Sequence, residues 1–363
     1  MTDWNQFKGD RRHGGVRREL EGPHRVEEGW SVDLTGAVGS PVLDRDTVFV
    51  GTDRGNLYAL ERETGRRRWV VETMTATDTA PVVTYDAVFF GTADGTIHAV
   101  DPASGEVQWE TEIEPNPTSL AFADEQLYAG HEGGVSAIAA ETGEEIWTHE
   151  TDEPVAGCPA VADEREWSGA RVFVGTDGEA ASALEAETGE EVWTVPTDGA
   201  VTDGPTVVGD RAYVGDAGGM LLALNGETGQ SWFTYKIQDE FTSSATVLAD
   251  DDTTFVGASD GYLHVTDTQF GRRRVRGWLF SKKGIALDGE VRASPVVIGD
   301  VVCVGDSTGS LYGIDATDYD HLWHFGLGGA ITSTPAVGEQ QLFVGSDDGV
   351  LHCLTWTLGE PRP

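Results

Sequence analysis

Apolar residues in this chain fall in short runs broken by glycine-rich turns, and no stretch repeats them at helical spacing. The segment Thr47 to Trp69, TVFVGTDRGNLYALERETGRRRW, sets the pattern. Val48-Phe49-Val50 has the β-branched and aromatic composition of a strand, and Gly51 ends it. Thr52-Asp53-Arg54-Gly55 has turn chemistry, with Gly55 able to take a positive φ. Leu57-Tyr58-Ala59-Leu60 reads as the return strand, Glu63-Thr64-Gly65 as a second turn, and Trp69 lies in a third strand.

The same unit recurs. Its strand-ending glycine is found at Gly51, Gly91, Gly130, Gly175, Gly215, Gly257, Gly305 and Gly345, a period of about 40 residues that marks a repeat architecture. The second turn recurs at Gly105, Gly143, Gly189 and Gly229. The tryptophan after it recurs at Trp109, Trp147, Trp193 and Trp232, and more loosely at Trp278 and Trp323. A strand opened by Ser40-Pro41, Ala80-Pro81, Cys158-Pro159, Ser294-Pro295 or Thr334-Pro335 precedes the units, with weaker versions around Leu120, Pro205 and Ala245. Four short strands per unit make a propeller blade, and eight anchors predict an all-β, eight-bladed propeller of four-stranded antiparallel blades. The last unit is one strand short after Trp356. The missing strand is predicted at residues 28–34, around Trp30, so the N-terminus closes the ring and removes an open sheet edge. The expected organisation is one propeller over residues 26–358, with residues 1–25 as an extension packed on it and 359–363 as a tail. Blade six is the irregular one. Thr268-Gln269-Phe270-Gly271 replaces its usual turn and Trp278 falls late, leaving its fourth strand open.

Charge changes the picture next. The chain has 62 Asp and Glu against 24 Lys and Arg, a net charge of −38. The acids are spread over every blade, which reads as a salt-adapted surface of the kind halophiles use, and such a surface disfavours nucleic acid as a partner. Residues 1–28 hold no apolar run or cleavage pattern, and no stretch approaches the roughly 18 apolar residues of a membrane span, so a cytoplasmic protein is expected. Cys158, Cys303 and Cys353 fall in separate blades and read as buried reduced thiols.

Signature chemistry is sparse. No Cys-x-x-Cys, His-Glu-x-x-His or Gly-x-Ser-x-Gly is present. His98, His264 and His352 occupy the position of Tyr58 in their blades and read as ordinary strand residues. The turns at Asp94, Asp260 and Asp347-Asp348 lack the spaced ligands of a Ca²⁺ loop and read as hairpin turns. Two candidate binding surfaces remain. One is the basic run Arg272, Arg273, Arg274 and Arg276, with Lys282-Lys283 nearby, suited to an acidic partner or an anionic ligand. The other is the channel mouth, formed where the innermost strands begin: Val38, Asp78, Pro117, Ala156, Thr202, Thr242, Arg292 and Thr332, with Asp203 beside them. There Arg292 and the threonine hydroxyls are expected to hold a polar or anionic group, because low-dielectric walls focus the field of a lone cation.

The repeat Val-x-Val-Gly-x-x-x-Gly-x-Leu-x-Ala-Leu-x-x-x-Thr-Gly-x-x-x-Trp, matched at Val48, Val50, Gly51, Gly55, Leu57, Ala59, Leu60, Thr64, Gly65 and Trp69, resembles that of quinoprotein-type (PQQ-like) propellers. The opening Trp4, Phe7, Gly9-Asp10, His13 and Gly15 resembles the segment before the first blade in these proteins, and size and blade count resemble the BamB propeller family. The resemblance implies that the repeated tryptophan docks between neighbouring blades. That role is carried onto Trp30, Trp69, Trp109, Trp147, Trp193, Trp232, Trp278 and Trp323. BamB-type propellers are exported and lipid-anchored, which this N-terminus does not match. Quinone-dependent alcohol dehydrogenases share the repeat, so PQQ with Ca²⁺ is the cofactor of the enzymatic alternative; many carry a vicinal Cys pair, and this chain has none. The expected protein is a monomeric, non-catalytic scaffold without cofactor or metal, with an unidentified protein partner. A quinone-dependent oxidoreductase or a small-ligand sensor using the channel are the alternatives.

If the acidic surface is a salt adaptation, the melting temperature rises steeply between 0.01 M and 1 M salt, as the screening length shortens from about 30 Å to about 3 Å. Thermal melts across that range check this; a flat profile overturns it.

Overall fold

The structure is a computed structural model and describes residues 4–77, 79–164, 167–275 and 283–357. Eight sheets form a ring, their antiparallel strands in sequence order from the axis outward, except that blade eight takes its outermost strand from the N-terminus and blade seven gains a parallel strand at its inner edge. Blade one runs Val42–Asp44, Thr47–Gly51, Asn56–Glu61 and Arg67–Glu72. Its second strand is buried throughout, while its fourth is exposed or half-buried. The inner strands are sandwiched between neighbouring blades and are therefore apolar on both faces; the rim strand meets solvent and turns polar. The core accordingly lies between blades. Phe173 and Trp193 of blade four, for example, pack with Val214 and Leu224 of blade five. Among the described residues the only helical element is a 3₁₀ turn, Phe7–Gly9.

The ring closes where expected. Glu27–Asp33 pairs with Val350–Thr355 as the fourth strand of blade eight, with Trp30 opposite Cys353.

Blades are locked by a repeated contact. The indole of Trp30 lies where a Cβ on Gly65 would stand, and Trp69, Trp109, Trp147 and Trp193 do the same to Gly105, Gly143, Gly189 and Gly229. Each indole Nε1 donates to a carbonyl of the next blade: Trp30 to Arg62 (3.0 Å), Trp69 to Pro102 (3.0 Å), Trp109 to Ala140 (3.1 Å), Trp147 to Ala186 (3.0 Å) and Trp193 to Gly226 (2.9 Å). These glycines have φ between +68° and +75°, so both the backbone conformation and the ring above demand the absence of a side chain. Trp323 donates instead to the carbonyl of Pro23, in the N-terminal segment.

One tryptophan needs correction. Trp232 is not the docking residue of blade five. It is 51% exposed, and Phe233 is the buried ring that covers Gly271. The docking residue stands four positions after the turn glycine, and four after Gly229 is Phe233. In blade six the same count gives Val275, which is buried near Tyr319, the residue that replaces the glycine in blade seven with φ 65°. Trp278 lies outside the described residues. Among the described residues, the fourth strand of blade six is Ile285–Ala286, with an isolated bridge from Thr266 to Arg273.

The N-terminal segment threads the ends of the innermost strands, opposite the mouth formed by their starts. Backbone bonds join Trp4 to Leu43, Asn5 to Val83, Arg11 to Val161, Arg12 to Val207 and Gly15 to Val297, and the Gln6 side chain accepts from the Phe122 amide. Directly after Gly15, Val16–Arg17 adds a parallel strand beside Val296–Ile298. Through its backbone and Gln6 the segment thus touches blades one to five and then blade seven, and through the Lys8 side chain blade six.

The corrected register predicts that Phe233→Ala destabilises the protein by about 3 kcal/mol, whereas Trp232→Ala changes stability by about 0.5 kcal/mol or less. Urea unfolding of the two variants checks this, and equal losses refute the register. Deleting residues 1–35 removes the closing strand and its Trp30, and is expected to give aggregation on gel filtration; a monomeric product with the parental melting temperature refutes closure.

Candidate functional site

The channel mouth differs from the arrangement expected of it. Thr202 Oγ1 donates to the Phe241 carbonyl (2.7 Å) and Thr242 Oγ1 to that of Val291 (2.6 Å), so both hydroxyls tie adjacent blades together. Thr332 Oγ1 donates to Asp347 (2.6 Å). Arg292 is not a lone cation, because Glu290 pairs with its guanidinium at 3.0 Å. The expectation counted the ring positions and passed over the acid two residues earlier. Asp78 lies outside the described residues.

Asp203 faces inward. Its carboxylate accepts from the Gly204 amide (2.7 Å), the Ser244 amide (3.0 Å) and Ser294 Oγ (2.9 Å). It joins a belt of hydroxyls around the axis, in which each blade's amide meets the next blade's side chain. Ser244 N donates to Ser294 Oγ (3.0 Å), Ser294 N to Thr334 Oγ1 (3.2 Å), and Thr334 N to Ser40 Oγ (2.9 Å). Between blades four and five the belt closes by backbone contact, since a Cβ on Gly157 would lie 2.1 Å from the Gly204 nitrogen. Beneath the belt stands Lys8, 1% exposed, its Nζ donating to the Ala245 carbonyl at 2.6 Å and lying 3.4 Å from Thr206 Oγ1. Burial lowers the Lys8 pKa to about 7, against the opposing pull of Asp203 and Asp10. His13, equally buried beside the Pro205 carbonyl, is pushed down to about 3 by the same loss of water. Polar groups of the N-terminal segment thus bond to those of the innermost strands at that end of the axis.

The basic run separates into three. Arg272 is exposed and stacks 4.7 Å from the ring centre of Phe270. Arg274 donates to the Asp251 carbonyl (3.0 Å) and lies 3.6 Å from the Asp252 carboxylate. Arg273 turns toward blade five, where its Nε donates to Tyr235 Oη at 2.8 Å. Arg276 lies outside the described residues. Nearby, Arg211 sits 4.2 Å over the ring of Trp232 while donating to the Thr268 carbonyl (2.6 Å). That bond brings exposed Trp232 to the same edge as the turn bearing exposed Phe270.

Beside this edge lies a cleft of about 420 Å³ lined by Lys236, Ile237, Asp260, His264, Arg273 and Lys283, among others. His264 is fully buried, with Nδ1 2.9 Å from Tyr235 Oη and Nε2 3.2 Å from Asp260. Burial lowers its pKa against the pull of Asp260, which keeps the ring neutral. The strand position shared with His98 and His352 carried no sign of this. The available signal was the i,i+4 spacing of Asp260 and His264 in the one irregular blade.

The three cysteines are buried, free and in blades four, seven and eight, so they supply no vicinal pair of the kind the quinone alternative implies. Burial holds their thiols protonated, with Cys353 pushed up to about 12. Among the described residues no group of three or more His, Cys, Asp or Glu side chains is placed to hold a metal ion. Among the described residues, also, no helix is long and apolar enough to cross a membrane.

An eight-bladed ring of four-stranded sheets with tryptophan-locked blades defines a PQQ-like propeller. The chain belongs to the family described as outer membrane protein assembly factor BamB, whose profile matches residues 24–155 and 131–362. No curated protein matches the sequence significantly. Among solved structures the chain is similar to BamB from Moraxella catarrhalis, with a TM-score of 0.75 at 19% identity over 92% of this chain and 100% of that one. It is similar also to the quinohemoprotein alcohol dehydrogenase from Comamonas testosteroni, with a TM-score of 0.77 at 13% identity over 100% of this chain and 82% of that one. The computationally designed Ika8 protein gives 0.76 at 19% identity, over 91% of this chain and 100% of that one. These likenesses establish the fold.

Lys8 generates a pH prediction. Its folded pKa of about 7 lies below the unfolded value near 10.5, so between these limits the unfolded chain binds more protons and stability rises with pH. Lys8→Met removes this contribution. The stability difference, parent minus variant, is expected to increase from pH 7 to pH 10 in urea titrations; a difference that stays constant shows that Lys8 keeps its ordinary pKa.

Proposed function

We propose that this protein is a non-catalytic interaction scaffold that docks an acidic protein partner on the edge shared by blades five and six. One observation carries the reading. Trp232 and Phe270 are 51% and 61% exposed, each is stacked on an arginine, and they lie on the same edge as the chain's basic run. Exposed tryptophan beside arginine is the composition of interface hot spots, and a basic edge on a chain of net charge −38 favours carboxylates. A high-salt cytoplasm is the setting that the acidic composition supports. There, charge acts over only about 3 Å at molar salt, which leaves aromatic contact and stacked arginine as the attractive elements. The assembly role in the family's description is consistent with a protein-binding propeller.

The test is cross-linked affinity capture at high salt with the parent, the double variant Trp232→Ala/Phe270→Ala, and the mouth variant Arg292→Ala. The double variant is expected to lose at least tenfold of a specific, acidic captured protein while the mouth variant retains it. Equal capture by parent and double variant overturns the reading.

A further inference from the structure

We propose that the cleft between blades five and six is a binding site for a small organic oxyanion, with Arg273 as its receiving group. This does not rest on the docking role of the outer edge. Among the described residues, blade six carries at its fourth-strand position only Ile285–Ala286 and the bridge at Arg273, where blade five carries Ser231–Lys236. The space left is walled by the last strand of blade five and the third strand of blade six.

A chain of hydrogen bonds runs through the wall, and the donor at one end fixes its direction. Arg273 Nε has only a proton to give, so Tyr235 Oη accepts it. Tyr235 then donates its own proton to His264 Nδ1, and His264 Nε2–H donates to Asp260. Every member is satisfied in this order with a neutral imidazole. Its physical result is that the guanidinium is held by one nitrogen, over the Tyr235 ring at 5.5 Å, with Nη1 and Nη2 left over.

The other cations of the cleft are already neutralised. Lys236 pairs with Asp198, and Lys283 lies 3.6 Å from Asp260 and 3.9 Å from Asp239. Arg273 has no carboxylate within ion-pair distance among the described residues. In a chain with 62 acidic side chains, a guanidinium aimed by a buried Asp–His–Tyr chain and left without a carboxylate matches the need of an oxyanion from outside. The two Nη groups form the fork that takes two oxygens of a carboxylate or phosphoryl group. A cleft of about 420 Å³ is larger than an inorganic anion requires and falls in the size range of metabolite sites. Asp239 and Ile237 offer a hydroxyl acceptor and an apolar contact for the rest of the molecule.

The test is titration calorimetry of the full chain at fixed chloride with inorganic phosphate, glucose 6-phosphate and malate. Saturable one-to-one binding of at least one organic anion is expected. Preference for the sugar phosphate assigns the phosphoryl source, and preference for malate assigns the carboxylate source. Arg273→Ala is expected to weaken binding at least tenfold. Arg273→Lys, which keeps the charge and loses the fork, and Tyr235→Phe, which keeps the fork and loses its anchor, are each expected to weaken it about three- to tenfold at an unchanged melting temperature. Trp232→Ala is expected to leave it intact. The proposal is overturned if no organic anion binds saturably, or if Arg273→Lys and Tyr235→Phe both bind as tightly as the parent.

Discussion

One contact holds this ring together: an aromatic side chain at the rim of one blade lying flat on a glycine turn of the next. It combines a packed ring, an indole N–H given to a carbonyl of the next blade, and a backbone conformation that only glycine takes without strain. Blades one to five each supply an aromatic ring for one interface and the glycine turn for the other. No blade therefore completes its packing alone, and the interface between Trp30 and Gly65 forms only when both ends of the chain have met. The exception follows the same physics. Where Tyr319 replaces the glycine, the side chain that meets it is the smaller Val275, so the volume lost on one side of the interface is returned on the other.

How much of this was legible follows from the range of each interaction. Strands, turn glycines and the blade count are local features repeated eight times, and the sequence pattern sufficed for them. Trp232 was misassigned because residue type was weighed above spacing. Counting four from Gly229 selects Phe233, and the displaced tryptophan is then free to lie on the surface. The mouth was misjudged for the opposite reason. Partners from adjacent blades use up Thr202 and Thr242, and a nearby glutamate takes Arg292. Lys8 against Ala245 and Arg273 against Tyr235 join residues that no periodicity brings together. Such contacts become visible only once the ring has placed the blades.

The axis of a propeller is usually considered for what it binds, and here it is where the chain binds itself. The segment 4–17 uses amides and carbonyls at the ends of successive innermost strands, and Lys8 supplies the one ammonium among the hydroxyls there. A buried lysine beside a carboxylate and hydroxyls costs desolvation energy, and its lowered pKa expresses that cost. Its counterpart is geometric. A single side chain reaches both blade five and blade six.

The few cations of this chain are placed with economy, and that gives the blade five–six junction its meaning. Arg171 is buried and pairs with Glu185 of its own blade and Glu227 of the next, acting as a tie between them. Arg11 and Arg12 fasten the N-terminal segment to Asp124, Asp163 and Glu164. In each case a positive charge is spent on joining elements that the fold must keep together. Arg273 departs from this use. It is held by a hydroxyl and an aromatic face, which fix its position without cancelling its charge. Had its purpose been to tie blade six to blade five, a carboxylate at position 235 would have done so more strongly, and acidic residues are the commonest resource this sequence has. A neutral anchor serves a different end: it preserves the field of the guanidinium for something that is not part of the chain.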